Sequence, residues 1–240
     1  GQLVPFVRAG LCLALVGLLA GCAGNKLSEV GTSGDRLLAT AVDTNTVVKS
    51  PNDDREYRYL TLDNGVRALL VSDSSTDKSA AALAALRGSY DEPDDRPGLA
   101  HFLEHMLFIG TEKYPELDGY QNFLARHGGS SNAYTAGDHT NYFFDVQPSA
   151  FDEALDRFSQ FFIAPLLDPK YVEREKKAVH SEYQLQLKDD GWRGFAVQKK
   201  SMNQDHPGTR FNIGSLETLD GDVQTDLITF FEQNYSADQM

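Results

Sequence analysis

Gly98-Leu99-Ala100-His101-Phe102-Leu103-Glu104-His105-Met106-Leu107-Phe108 decides how the rest of the chain is read. At about 100° per residue, Leu99, Phe102, Leu103, Met106 and Leu107 fall on one helical face. Their spacing is that of a core-facing stripe. His101, Glu104, His105 and Phe108 repeat the same spacing on the opposite face. The helix is thus predicted to bury one side and present two imidazoles and a carboxylate together on the other. Histidines one turn apart are close enough to bind a single zinc ion. Glu104 lies beside His105, placed to take a proton from a water on that metal rather than to bind the metal. The competing reading is a solvated polar face with two titrating histidines.

A catalytic zinc takes three protein ligands and keeps one position open, so a third ligand must come from elsewhere. The cysteines, Cys12 and Cys22, both lie in the first 22 residues. Beyond Cys22 a metal therefore relies on His, Asp or Glu. Asp168-Pro169 opens a predicted long helix to about Leu187, with aspartate as cap and proline in the first turn. Glu175 and Glu182 lie seven residues apart on it, so they differ by only about 20° around the axis. They flank Val172, Val179 and Tyr183, the predicted buried stripe. Carboxylates beside an apolar stripe are costly unless something positive meets them. A dication would do so; so would Arg174 or Lys176 along a charged helix edge.

Working outward, Tyr57–Leu62 and Val66–Val71 flank Asp63-Asn64-Gly65, a hairpin signal. Ala80–Leu86 reads as a buried strand, and Asp91–Pro97 as a loop. A second helix is expected over Leu117–His127, stopped by Gly128-Gly129. Ser131–Thr135 and Asn141–Val146 read as strands. Phe151–Phe162 reads as an amphipathic helix with an aromatic face, and Leu227–Tyr235 as a last helix. Helices and strands mix without regular alternation. The fold class expected is α+β, a mainly antiparallel sheet of about five or six strands packed against several helices.

The motif with its surroundings resembles the insulysin and pitrilysin family, the inverzincins. The likeness rests on Gly98-Leu99-Ala100, His101-Phe102-Leu103-Glu104-His105, Met106–Thr111 and Lys113-Tyr114-Pro115. It continues through Gly129–Thr135, Thr140-Asn141-Tyr142, Glu173-Arg174-Glu175 and His180-Ser181-Glu182. It covers about residues 55–240 and is closer to the insulysin branch than to the short mitochondrial processing subunits. The resemblance implies zinc as cofactor, one ion per domain, with His101, His105 and Glu182 as ligands. Glu104 becomes the general base and Glu175 a support that orients the site. Asn132 and Ala133 match an edge strand that pairs with substrate backbone. Phe108 and Tyr134 match positions lining the pocket before the scissile bond, though either could be a core aromatic. The implied activity is endopeptidase cleavage of peptides or small unfolded proteins by a zinc-activated water. Further domains of the same enzyme are implied as partners. A rival expectation is a non-catalytic lipoprotein that keeps the fold as a binding or assembly module.

Bulk composition fits a folded domain: 41% hydrophobic and 24% charged residues. The formal charge is -13, and Arg8 is the one charged residue before Cys22, so the remainder carries -14. That argues against a nucleic-acid partner, which needs a basic surface. Arg8, the apolar run Ala9–Ala20 and Gly21-Cys22 read as an export leader. Leu19-Ala20-Gly21-Cys22 resembles the bacterial lipobox, which makes Cys22 a lipidation site. Residues 1–22 are thus expected as a lipoprotein-type signal peptide and 23–55 as a flexible tether. Residues 56–240 are expected to form the catalytic domain, truncated at its C-terminal end. Ala23 after the cysteine favours, by the same resemblance, anchorage in the outer membrane on the periplasmic side of a bacterial envelope.

Overall fold

The computed structural model describes residues 40–41 and 47–240. The leader with Cys22 and much of the 23–55 stretch lie outside the described residues. Six strands and six α-helices make up the described part. Strands β1 (Thr40–Ala41), β2 (Glu56–Thr61) and β3 (Arg67–Ser72) form one antiparallel sheet in that order. Strands β4 (Ser79–Ala85), β5 (Ser130–Thr135) and β6 (Thr140–Val146) form a second, ordered β4-β6-β5. The class is α+β as expected, with the strands divided between two sheets. The short β1 lies within the stretch expected as a tether and pairs with Leu60 and Thr61 of β2.

The hairpin forms where Asn64-Gly65 predicts it. Gly65 adopts φ +93°, a left-handed conformation that glycine tolerates without strain. The Leu62 and Val66 positions then close the turn, with Leu62 N–H donating to the Val66 carbonyl at 2.8 Å. β4 departs from expectation. It is an edge strand with alternate residues exposed, not a strand buried on both faces.

Helix α1 (Leu99–Leu107) lies at the centre, packed against β5 and two later helices. Leu99, Phe102, Leu103, Met106 and Leu107 are fully buried, which is the stripe read from the sequence. α2 (Gly119–Arg126) and α3 (Phe151–Ile163) pack on each other. α3 delivers Phe158, Phe161 and Phe162 into a cluster with Tyr120, Tyr142 and Phe144. α4 (Pro169–Gln186) carries the two glutamates; Asp168 caps it by accepting the Lys170 N–H at 2.9 Å. α5 (Asp190–Ser201) has no predicted counterpart and buries none of its residues. α6 (Val223–Asn234) starts four residues before the expected helix, where Asp222 caps the Thr225 N–H. The strap between α5 and α6 crosses the start of α1 so closely that a Cβ at Gly98 would collide with Gly214 Cα.

Candidate metal centre

α1 and α4 lie side by side, and their facing turns bring His101, His105, Glu175 and Glu182 together. His101 Nε2 stands 3.3 Å from one oxygen of Glu182, and His105 Nε2 stands 3.4 Å from the other. One ligand atom from each of the three lies within 4.8 Å of the others. Zinc–nitrogen and zinc–oxygen bonds of about 2.0–2.1 Å give a tetrahedral edge of about 3.3 Å. The spacing and the donor set of two imidazoles and a carboxylate therefore fit zinc.

Each imidazole is oriented through its other nitrogen. His101 Nδ1 lies 2.6 Å from the Ile213 carbonyl, which can only accept, so Nδ1 carries the proton. Nε2, which faces Glu182 at 3.3 Å, is the nitrogen left to bind a metal. His105 Nδ1 faces Glu175 Oε2 at 3.4 Å, while Glu175 Oε1 accepts from Arg174 Nε at 2.7 Å. Glu175 thus contacts a histidine with one oxygen and pairs with an arginine through the other.

Charge is concentrated here. Burial pushes the His105 imidazolium down, but Glu175, Glu182 and Glu104 outweigh burial and hold its pKa up to about 9. The His101 and His105 rings hold the Glu182 carboxyl well below the usual carboxylate range. Burial raises Glu175, yet His105 and Arg174 bring it below its ordinary value. For Glu104 burial wins and the carboxyl is raised, although the Thr135 hydroxyl and both histidines pull the other way. Glu104 is 8% exposed. Thr135 Oγ1 donates to Glu104 Oε2 at 2.5 Å and leaves the other oxygen unclaimed by it.

These groups line a cleft of about 520 Å³. The expected contact residues Asn132, Ala133, Tyr134 and Phe108 line it as well. β5, which carries the first three, is an edge strand of its sheet. Tyr134 is half-exposed, and its hydroxyl lies 3.2 Å from His139 Nε2. Phe108 also packs against Tyr120, Tyr142 and Phe161, so it belongs to the core and the cleft together. Cys22 lies outside the described residues. Thr135, the Ile213 carbonyl and Trp192, which also lines the cleft, are among the contributors not read from the sequence. Trp192 carried no signal, because α5 itself was not foreseen.

The family described as Insulinase (Peptidase family M16) matches residues 67–205. Mouse insulin-degrading enzyme is 48% identical over 201 residues, covering 81% of this chain and 20% of that protein. The peroxisomal insulin-degrading enzyme-like 1 of Arabidopsis thaliana is 49% identical, covering 81% of this chain and 21% of its own length. Among solved structures, the crystal structure of pitrilysin superposes with a TM-score of 0.80 and 41% identity. It covers 84% of this chain and 22% of that one. The chain thus spans about a fifth of the length of the curated relatives it matches.

Proposed function

The chain belongs to the insulinase family of peptidases, and from that premise we propose that it is the zinc-binding catalytic domain of an endopeptidase. The observation that carries this is the meeting of His101, His105 and Glu182 beside Glu104 in one cleft. Zinc held by those three residues would supply Lewis acidity toward a water molecule and the scissile carbonyl. Glu104, raised by burial, accepts the proton of the attacking water on the oxygen that Thr135 leaves free. It then passes that proton to the leaving amine. Glu182 and Glu104 together balance the charge of a dication.

The substrate proposed is an extended peptide or small unfolded protein. The outer edge of β5 at Asn132 and Ala133 offers main-chain hydrogen bonds to such a peptide once it displaces Asn132 Oδ1, which accepts the Ala133 N–H at 2.9 Å. Phe108 and Tyr134 offer contact to its side chains. Since the matched stretch makes up about a fifth of the relatives' length, we propose that further domains of the same enzyme complete the substrate site. An envelope location, with Cys22 lipidated and the protein held on the outer membrane, is a separate proposal supported by residues 1–22 alone. Loss of membrane partitioning in a Cys22→Ser variant would support it; unchanged partitioning would reject it.

The catalytic assignment is tested with Glu104→Gln in the intact protein. The expected result is full zinc content with cleavage of a quenched extended peptide lowered about a thousandfold, within the range of general-base contributions. Cleavage at the parent's rate would reject Glu104 as the base.

A further inference from the structure

Glu92 is a buried carboxylate, 5% exposed, that does not line the cleft. Its Oε2 accepts the Gly98 N–H and its Oε1 accepts the Ala100 N–H, both at 2.9 Å. Those are donors from the first turn of α1, which no preceding carbonyl satisfies. Helices usually meet them with a side chain at the N-cap. α1 cannot. Its N-cap is Gly98, at φ +93°, and any side chain there would collide with Gly214 Cα. Nor does α1 carry an acidic residue in its first turn to match the positive end of its dipole. The cap therefore arrives from six residues upstream, as one carboxylate bridging two N–H groups.

The same corner holds the strap that orients His101. Arg210 of the strap donates to the Glu92 carbonyl at 3.4 Å and pairs with Asp94 at 2.8 Å. Lys199 Nζ ties the strap at the Arg210 carbonyl and at Asn212 Oδ1, at 2.9 and 3.0 Å. Three residues past Arg210, the Ile213 carbonyl receives His101 Nδ1–H. His101 follows Ala100 directly. Its ring position thus depends on two fixed points, the carboxylate under the helix start and the carbonyl above it.

We infer that Glu92 is a positioning residue of the metal centre: its bidentate hold on Gly98 and Ala100 sets the first turn of α1 so that His101 meets the Ile213 carbonyl with one nitrogen and the metal position with the other. The inference rests on the zinc reading for its consequence, while its geometry is that of Glu92, α1 and the strap. Glu92→Gln keeps the volume of the side chain and leaves one acceptor for two donors.

Two measurements on the intact protein, with Glu92→Gln and Glu92→Ala, separate the two claims. In metal-free protein, at a pH where the ring is neutral, long-range proton–nitrogen correlation reads the His101 tautomer. Because the Ile213 carbonyl at 2.6 Å competes with the Glu182 carboxylate at 3.3 Å for the proton, the parent is expected to show predominantly the single Nδ1–H tautomer, and both variants a larger share of Nε2–H. Zinc affinity, by competition with a chromophoric chelator, is expected to fall about 10- to 100-fold, as for the loss of other supporting groups. The cobalt-substituted variants should show altered visible bands. An unchanged tautomer with parental zinc affinity in Glu92→Gln overturns the inference, even if Glu92→Ala fails to fold. A parent that shows the single tautomer but takes up no zinc refutes the zinc reading and leaves the role of Glu92 in holding His101 supported.

Discussion

The Glu104 carboxylate is held by a hydroxyl 31 positions away, Thr135 Oγ1 on β5. A hydrogen bond to a charged group contributes roughly 1.5–3 kcal/mol, and 1.4 kcal/mol is tenfold in rate. If this bond orients the base, Thr135→Val lowers kcat about tenfold or more while KM stays within about twofold. Thr135→Ser should restore kcat, and steady-state kinetics on one extended peptide decides it. The residues that could be read along the chain share one property. His101, Glu104 and His105 carry reactive side chains at helical spacing, whereas the spacing of Glu175 and Glu182 on α4 fits a charged helix edge equally well, and only the family resemblance makes Glu182 a ligand. Thr135 and Glu92 could not be read so, because each acts on a partner far off in sequence. The Ile213 carbonyl leaves no side-chain signature at all.

At the scale of elements, periodicity identified α1, α3 and α4 because each buries one continuous stripe against a neighbour. α5 escaped because it buries nothing, and Gly191 and Gly194 dilute its helical propensity. The division into two sheets also escaped, since period-two alternation fixes strands and not their partners. The loop after α1 is pinned to α3 at Asp156, which accepts from Lys113 Nζ at 2.6 Å and from the Tyr114 hydroxyl. Burial raises the Asp156 carboxyl, but Lys113 and Tyr114 prevail and hold it below its ordinary 3.8. A lowered folded pKa gives stability that is present above the unfolded value and lost as pH falls through the folded one. Asp156→Asn should therefore lower the unfolding free energy by about 1–2 kcal/mol near neutral pH. The gap to the parent should narrow below pH 3.8. A gap that is unchanged in acid would contradict the pairing. The strap makes a second demand on its element. Gly214, at φ +97°, would place a Cβ 2.8 Å from Val179 Cγ1. Gly214→Ala is expected to cost about 2 kcal/mol or more in denaturant unfolding, because left-handed backbone and a tight contact both oppose it.

Taken whole, the molecule presents a polar metal cleft and, next to it, an apolar groove of about 290 Å³ that includes Leu187, Trp192, Phe195 and Phe211. Leu185 on α4 and Val197 on α5 are each 70% exposed. Residues 47–240 alone are expected to bind zinc yet cleave a quenched peptide at least about tenfold more slowly than the intact protein, because part of the substrate-binding energy is missing. Equal rates would show that the cleft is complete within this segment.

His101, His105 and Glu182 are proposed to hold one zinc ion. Metal quantification after dialysis against zinc-buffered solution tests it most directly, on the intact protein and on His101→Ala, His105→Ala and Glu182→Ala, with folding checked by circular dichroism. One zinc ion per domain is expected in the parent and little or none in any of the three folded variants. Full zinc occupancy in any one of them, or none in the parent, would contradict it.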